Sequence, residues 1–73
     1  MSYSLYELHK MAFEAHIHQV KYTAGALTNQ EYTDLVTPLQ SHNDILVEDI
    51  HVEHAQGYRD IIDGAINASK VGQ

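Results

Sequence analysis

Apolar residues recur at helical spacing along the second half of the chain. At ~100° per residue, one side of 41–69 collects the apolar residues and the opposite side collects acidic ones. The pattern predicts one long amphipathic helix over 41–69, with a histidine in the middle of its apolar side. That side consists of Leu46, Val47, Ile50, His54, Gly57, Tyr58, Ile61, Ala65 and Ala68.

The first part of the chain predicts a helix over 4–23, opened by a capping box of Ser4 and Glu7. Apolar residues cover well over half of its circumference, which is wider than the ~100° stripe that one neighbour requires. We therefore expect this helix to contact more than one partner. Gly25 follows it, and glycine readily adopts the left-handed conformation that closes many helices.

A second capping box, formed by Thr28 and Glu31, predicts a short helix over 28–37. This helix ends near Pro38, because proline lacks the amide hydrogen that a continuing helix needs. Three helices in a single domain over 1–73 define an all-α fold. We expect a helical hairpin, in which the short middle helix joins the two longer ones.

The predicted start of the long helix is Ser41, a hydroxyl residue of the kind that caps helix N-termini, with Asp44 in the first turn. A strand over 45–54 is the alternative, since apolar and polar residues partly alternate there. Neither face of that strand is consistently apolar, and helical patterns lie on both sides. The helix is therefore favoured.

The charge balance limits the classes of partner. Ten acidic residues face four basic ones, for a formal net charge of −6. Affinity for nucleic acid comes from clustered lysine and arginine, so direct nucleic-acid binding is not expected, whereas a protein with a basic surface is a suitable partner. The chain has no cysteine for a disulfide or a thiolate metal site. It also lacks a signal-peptide pattern and an apolar run of ~18 residues, so we expect a cytoplasmic protein without a membrane span.

Self-association is expected from the size of the chain. A domain of 73 residues buries a small share of its surface, and oligomerisation commonly supplies the missing stability. The wide apolar arc of the first helix and the glycines of the long helix indicate where copies meet, because a missing side chain lets another backbone approach. We predict an oligomeric helical bundle with an interface of Tyr6, Phe13, Ile17, Val20, Ile50, Gly57, Tyr58, Ile61 and Gly64.

Three histidines, His9, His16 and His54, lie on inward arcs of the predicted helices. If the two longer helices are antiparallel neighbours, these imidazoles could converge on a divalent metal ion. The more common role of such histidines is structural, in a hydrogen bond to a carbonyl or carboxylate. Glu48 and His51 match the Glu-x-x-His spacing of di-iron bundles, but such bundles also need inward glutamates, which the first helix does not offer.

An acidic row on the long helix, formed by Asp49, Glu53, Asp60 and Asp63, is suited to a basic partner surface. One hypothesis is an acidic inhibitor of phage type that masks the nucleic-acid-binding surface of its partner. The alternative interpretation of the row is the solvated face of an amphipathic helix.

Residues 26–39, Ala-Leu-Thr-Asn-Gln-Glu-Tyr-Thr-Asp-Leu-Val-Thr-Pro-Leu, resemble the turn and short helix of many small bacterial and phage helical modules. The resemblance implies an interaction or oligomerisation module, with no particular activity. Motifs for hydrolysis or phosphate binding are missing from the sequence, since it contains no Gly-x-Ser-x-Gly and no glycine-rich phosphate loop. We therefore expect a binding, assembly or regulatory protein without catalysis, with a histidine-metal protein as the rival hypothesis.

Overall fold

The computed structural model describes residues 4–71, and no strand occurs in this range. The all-α prediction is therefore confirmed for the described part of the chain. The ends of the predicted domain, 1–3 and 72–73, lie outside it. The elements in chain order are α1 (Leu5–Thr23), α2 (Asn29–Val36), a first 3-10 helix (Thr37–Asp44), a second, short 3-10 helix (Asp49–His51) and α3 (Val52–Val71).

Helix α1 has nearly the predicted bounds, but its start differs in detail. Ser4 makes no side-chain capping bond, so the predicted capping box at this end is wrong. The end of α1 is as expected, with Gly25 at φ +84°. The amides of Gly25 and the next residue bond to the carbonyls of Tyr22 (3.1 Å) and Lys21 (2.9 Å). This pair of bonds is the Schellman motif, which satisfies the last carbonyls of a helix.

Helix α2 begins with the predicted capping box. The Thr28 hydroxyl accepts a hydrogen bond from the Glu31 amide (3.1 Å), and the Glu31 carboxylate accepts one from the Thr28 amide (2.9 Å). These bonds stabilise the charged carboxylate, and they hold the pKa of Glu31 below its ordinary value. The N-terminus of this short helix is therefore fixed by local sequence alone.

Tyr32 ties α2 to α3. Its side chain is fully buried, its ring stacks on that of Tyr22 with centroids 4.4 Å apart, and its hydroxyl donates to the carbonyl of Ala65 at 2.6 Å. Burial raises the pKa of Tyr32, and the neighbouring Tyr22 adds to the effect. The aromatic pair thereby joins all three α-helices at one level.

The long helix begins at Val52, so the prediction of a helix over 41–69 is wrong for 41–51. Residues 37–44 instead continue from α2 as the first 3-10 helix. In this helix the Ser41 hydroxyl donates to the carbonyl of Pro38 (3.2 Å) and caps no helix. The Ser41 hydroxyl, which predicted a helix cap, therefore forms its hydrogen bond within the 3-10 helix.

Residues 45–48 connect the two 3-10 helices as extended chain without strand pairing. Ile45 and Val47 are half-buried against the core, whereas Leu46 and Glu48 are exposed. The side chains thus alternate with a period of two residues, as in the strand alternative, although no strand forms in the described range. The helical spacing of the apolar residues was coincidental here.

The two longer helices lie side by side and run in the same direction. In the first half of each, the rings of His9 and Tyr58 are 5.1 Å apart. Near their C-terminal ends, the side-chain amide of Asn29 donates to both the Tyr22 hydroxyl (3.0 Å) and the Ser69 carbonyl (3.2 Å). Helix α2 and the first 3-10 helix return between these levels. The arms α1 and α3 are therefore parallel, in contrast to the antiparallel arms of a simple hairpin.

The core lies where α1, α2, the first 3-10 helix and α3 meet. All four of its alanines belong to α1 or α3, and its six bulkier residues are divided equally between these two helices and the other elements. The buried apolar residues are Leu8, Ala12, Ala15, Tyr32, Val36, Leu39, Ala55, Ile62, Ala65 and Ile66.

Candidate protein-interaction surfaces

Helix α1 carries two apolar stripes in place of one wide arc. The inward stripe includes Leu8, Ala12 and Ala15, which are buried. The outward stripe lies ~120° round the helix, and its residues recur at alternating intervals of three and four, as in a coiled-coil seam. All of its members are exposed: Tyr6 (68%), His9, Phe13 (61%), His16 and Val20 (53%).

Helix α3 has a matching division. Its inward side buries Ala55, Ile62, Ala65, Ile66 and Ser69. Its outward stripe consists of His54, Gly57, Ile61, Gly64 and Ala68, all exposed except the half-buried Ala68. The predicted apolar side of the long helix follows mostly the outward stripe and shares only Ala65 with the buried side. The prediction therefore placed the buried side of α3 about a quarter turn away from where it lies.

The two glycines of the outward stripe have no role in packing the single chain. A Cβ atom added to Gly57 or to Gly64 would meet nothing within 4 Å. Glycine in a helix interior costs about 1 kcal/mol of stability relative to alanine. Their presence is therefore not explained by the contacts of one copy.

A trough runs between the two outward stripes. His9, Ala12, Phe13, His16, Tyr58 and Ile61 line a depression of about 220 Å³. His16, Gln19, Val20, Thr23 and Ala24 line a second depression, of about 530 Å³. His16 borders both depressions, but only the first is lined by residues of both helices. We call the outward stripes and this trough the α1/α3 face.

The α1/α3 face contains most of the predicted oligomer interface. Tyr6, Phe13, Val20, Gly57, Ile61 and Gly64 are exposed on it, whereas Ile17 and Tyr58 are half-buried. Ile50 lies outside α3, in the short 3-10 helix that precedes it. The structure therefore places Ile50 in a different surface, described below.

The three predicted metal ligands do not come together. His9, His16 and His54 are exposed, and within residues 4–71 no group of three or more histidine, cysteine or acidic side chains is placed to hold a metal ion. His16 lies two turns beyond His9, whereas His54 lies one turn before Tyr58, the residue level with His9. At a rise of ~1.5 Å per residue, His16 and His54 are about 16 Å apart along the bundle.

The buried histidine is His42, which the sequence analysis did not place in the core. It is fully buried, and its Nε2 lies 2.6 Å from Oδ1 of Asp63, whose side chain is half exposed; its Nδ1 has no partner. The pair fastens the end of the first 3-10 helix to α3. A signal was available, because Tyr32, Val36, Leu39 and His42 recur at intervals of four, three and three.

The predicted acidic row is exposed along its whole length, at Asp49, Glu53, Asp60 and Asp63. The row is not uniform, however. Asp63 is engaged by His42, and Asp60 accepts a hydrogen bond from the side-chain amide of Gln56 (2.8 Å). The N-terminal half of the row adjoins a second apolar region.

This second region is the segment 44–53, which we call the acidic-rimmed patch because exposed apolar and acidic residues follow one another along it. Its apolar side chains are Leu46 (69% exposed), Ile50 (80%) and Val52 (52%). Its carboxylates are Asp44, Glu48, Asp49 and Glu53, all exposed. The guanidinium of Arg59, the nearest basic residue along the chain, donates to the carbonyl of Ile45. Within 44–53 there is no lysine or arginine to offset the carboxylates.

Comparison with known proteins found no matching family model, no similar curated protein and no similar solved structure. Within residues 4–71, no helix has both the length and the apolar content that crossing a membrane requires. The fold and its surfaces define the class as a small acidic protein of three α-helices, with one apolar face on two parallel helices and a smaller patch rimmed by carboxylates.

Proposed function

We propose that this protein is a self-associating binding or assembly module in which the α1/α3 face pairs with the same face of a second copy. The outward stripe of α1 carries the argument. Phe13, at its centre, is 61% exposed, and its neighbours Tyr6 and Val20 are exposed to a similar extent. Several large apolar side chains exposed along one side of a helix are characteristic of protein–protein interfaces.

The weak core of the single chain supports pairing. Four of its ten buried apolar residues are alanines, and a buried alanine contributes much less transfer free energy than a buried leucine or phenylalanine. A domain of this length is marginally stable even with a full-sized core. Burial of Phe13, Tyr6 and Ile61 against a partner would add three large side chains to the six bulky apolar ones that the single chain buries.

The area of the face fits a dimer. A helix of 19 residues is about 28 Å long, and two neighbouring helices are about 18 Å wide, so the face covers about 500 Å² in projection. The accessible area of its corrugated surface is larger than the projection and approaches the ~800 Å² per partner of a standard interface. The two bare glycines leave room on α3 for side chains of the second copy.

The charges beside the face also permit pairing of identical copies. The charged residues of α1 are Glu7, Lys10, Glu14 and Lys21, so the helix carries two charges of each sign. A second copy therefore meets no net repulsion from α1.

The test is the molar mass in solution, measured by sedimentation velocity and light scattering over a range of concentrations. We expect a reversible dimer or higher oligomer at micromolar concentration. Phe13→Glu should weaken association by about 100-fold, because a symmetric interface then buries the charge in each copy. The matched control is Leu46→Glu, which changes an equally exposed apolar residue of the acidic-rimmed patch.

The control should associate like the wild type, and circular dichroism should show that both variants keep their helices. A wild-type protein that stays monomeric up to high micromolar concentration would refute the proposal. So would a Leu46→Glu variant that loses association as completely as Phe13→Glu.

A further inference from the structure

We propose that the acidic-rimmed patch binds a cationic amphipathic segment of another protein, with apolar side chains on one face and lysines or arginines around them. This inference goes beyond self-association, because it concerns a different surface and a different partner. Three observations support it: the exposure of the apolar residues, the uniform sign of the charges around them, and the contacts that hold the segment in place.

Three large apolar side chains of the patch are exposed to solvent. Leu46, Ile50 and Val52 fall within seven consecutive residues, and each is more than half exposed. Single exposed apolar residues are common on protein surfaces, but a cluster of large ones is typical of a binding site. The same segment buries other residues, since Ile45 and Val47 pack against the core.

The carboxylates of the patch indicate a basic partner. Four carboxylates accompany these three apolar residues between 44 and 53, and this segment contains no lysine or arginine. Arg59 is turned toward the carbonyl of Ile45 and satisfies an acceptor of the backbone. A segment that places apolar side chains on the patch and basic ones at its rim is complementary in both respects, as in the binding of basic amphipathic helices.

A second copy of this chain does not fit the same patch. Symmetric pairing through it would bring two sets of four carboxylates together, and juxtaposed like charges oppose association at an interface. The balanced charges of α1 present no such obstacle, so the two surfaces are suited to different partners.

The patch is held in place at its N-terminal end by two contacts with α3. Before it, His42 is buried and paired with Asp63 of α3. At its start, the carbonyl of Ile45 accepts from the guanidinium of Arg59, also on α3. A surface fixed in this way loses less conformational entropy on binding than a loose loop would.

The test uses two fluorescent peptides of leucine and lysine, each about 18 residues long so that a helix can form. One has an amphipathic pattern, and the other has the same composition in an order without an apolar face. Binding is followed by fluorescence anisotropy at low and at physiological ionic strength. The amphipathic peptide should bind at least about tenfold more tightly than the scrambled one, and added salt should weaken its binding.

Two double variants test the apolar and the acidic residues of the patch separately. Leu46→Ser/Ile50→Ser should abolish the preference for the amphipathic peptide. Glu48→Gln/Asp49→Asn should weaken its binding about tenfold, whereas the matched control Glu7→Gln/Glu14→Gln removes the same charge from α1 and should change it less than twofold. All these positions except the half-buried Glu14 are exposed, so the folded structure is retained.

Equal binding of the two peptides, or an equal loss in the α1 control, would overturn the proposal in favour of general attraction to an acidic protein. A fall in molar mass in the Leu46→Ser/Ile50→Ser variant would overturn it too, because the patch would then be covered by a second copy. Phe13→Glu tests self-association alone and should leave peptide binding unchanged. The two proposals can therefore fail independently.

Discussion

The α1/α3 face and the acidic-rimmed patch expose similar apolar side chains, but the charged residues near them differ. Phe13 and Leu46 are about equally exposed, yet Phe13 lies on a helix with two charges of each sign, and Leu46 lies in a segment whose charged residues are all acidic. Apolar exposure alone indicates that something binds. The sign of the surrounding charge indicates whether an identical copy or a basic partner is suitable.

The two regions also differ in how they are built. The α1/α3 face stands on two regular α-helices, whereas the patch lies on an extended segment and a short 3-10 helix. Regular helices hold their side chains through backbone hydrogen bonds. The patch depends on a few tertiary contacts, above all the buried His42 and its partner Asp63. The patch should therefore be the more sensitive of the two to a single core substitution.

The largest expected effect is that of His42→Ala, which should impair the acidic-rimmed patch more than the α1/α3 face. Removing a fully buried side chain leaves a cavity and an unpaired carboxylate, so we expect the free energy of unfolding to fall by about 3 kcal/mol in urea titrations. Binding of the amphipathic peptide should weaken, while self-association below the unfolding midpoint should persist. Asp63→Asn, which keeps an acceptor for the imidazole, should cost about 1 kcal/mol.

If His42→Ala weakened self-association and left peptide binding intact, the dependence of the patch on this contact would be wrong.

An effect of intermediate size is expected for Gly57→Ala/Gly64→Ala, with opposite signs in stability and association. Each alanine should stabilise the single chain by about 1 kcal/mol, because its methyl group has open space around it. The same methyl groups occupy the α1/α3 face and should weaken pairing about tenfold. Urea unfolding of dilute protein gives the first quantity, and sedimentation gives the second.

Gly25→Ala is the control, and it should destabilise the chain, because the positive φ at Gly25 is costly for alanine. If the double variant associated as tightly as the wild type, the two glycines would face water instead of a partner.

The smallest effect is expected for Glu31→Gln, which lies outside both regions. The pKa of Glu31 is lower in the folded chain, so its charge stabilises the fold above the pKa of the unfolded state, and this contribution is lost as the pH falls through the folded value. Glutamine preserves the capping geometry without the charge. The melting temperature of the variant should therefore fall less between pH 7 and pH 3.

Neither self-association nor peptide binding at neutral pH should respond to Glu31→Gln. A change in either would mean that α2 contributes to a surface assigned here to other elements.

Local signals in the sequence were sufficient for α2 and for the end of α1, whereas the capping box predicted at Ser4 does not form. The capping box at Thr28 and the glycine at position 25 act within a few residues, so tertiary structure does not alter them. The start of α3 could not be predicted in this way. The apolar residues of 45–47 fit helical spacing, but contacts with the core, which is distant in sequence, hold the chain extended there.

The surfaces were predictable where they depend on the periodicity of a single helix, and not where they depend on how the helices are arranged. The apolar excess of α1 pointed to an outward stripe, and the exposed Phe13 and Val20 lie on it. The histidines were misassigned because their placement depends on the direction of α3 relative to α1, which periodicity does not contain. The pair of His42 and Asp63 spans 21 residues and forms only because the first 3-10 helix returns along α3.

Because α1 and α3 are parallel, their helix dipoles point in the same direction. Each helix carries the equivalent of roughly half a positive charge at its N-terminus and half a negative charge at its C-terminus, so two parallel helices add their dipoles. Glu7 and Glu53 lie at the positive ends, and Lys21 and Lys70 lie at the negative ends. In the proposed dimer, antiparallel copies would cancel this dipole, whereas parallel copies would double it. The proposal is therefore most consistent with a two-fold axis perpendicular to the helices.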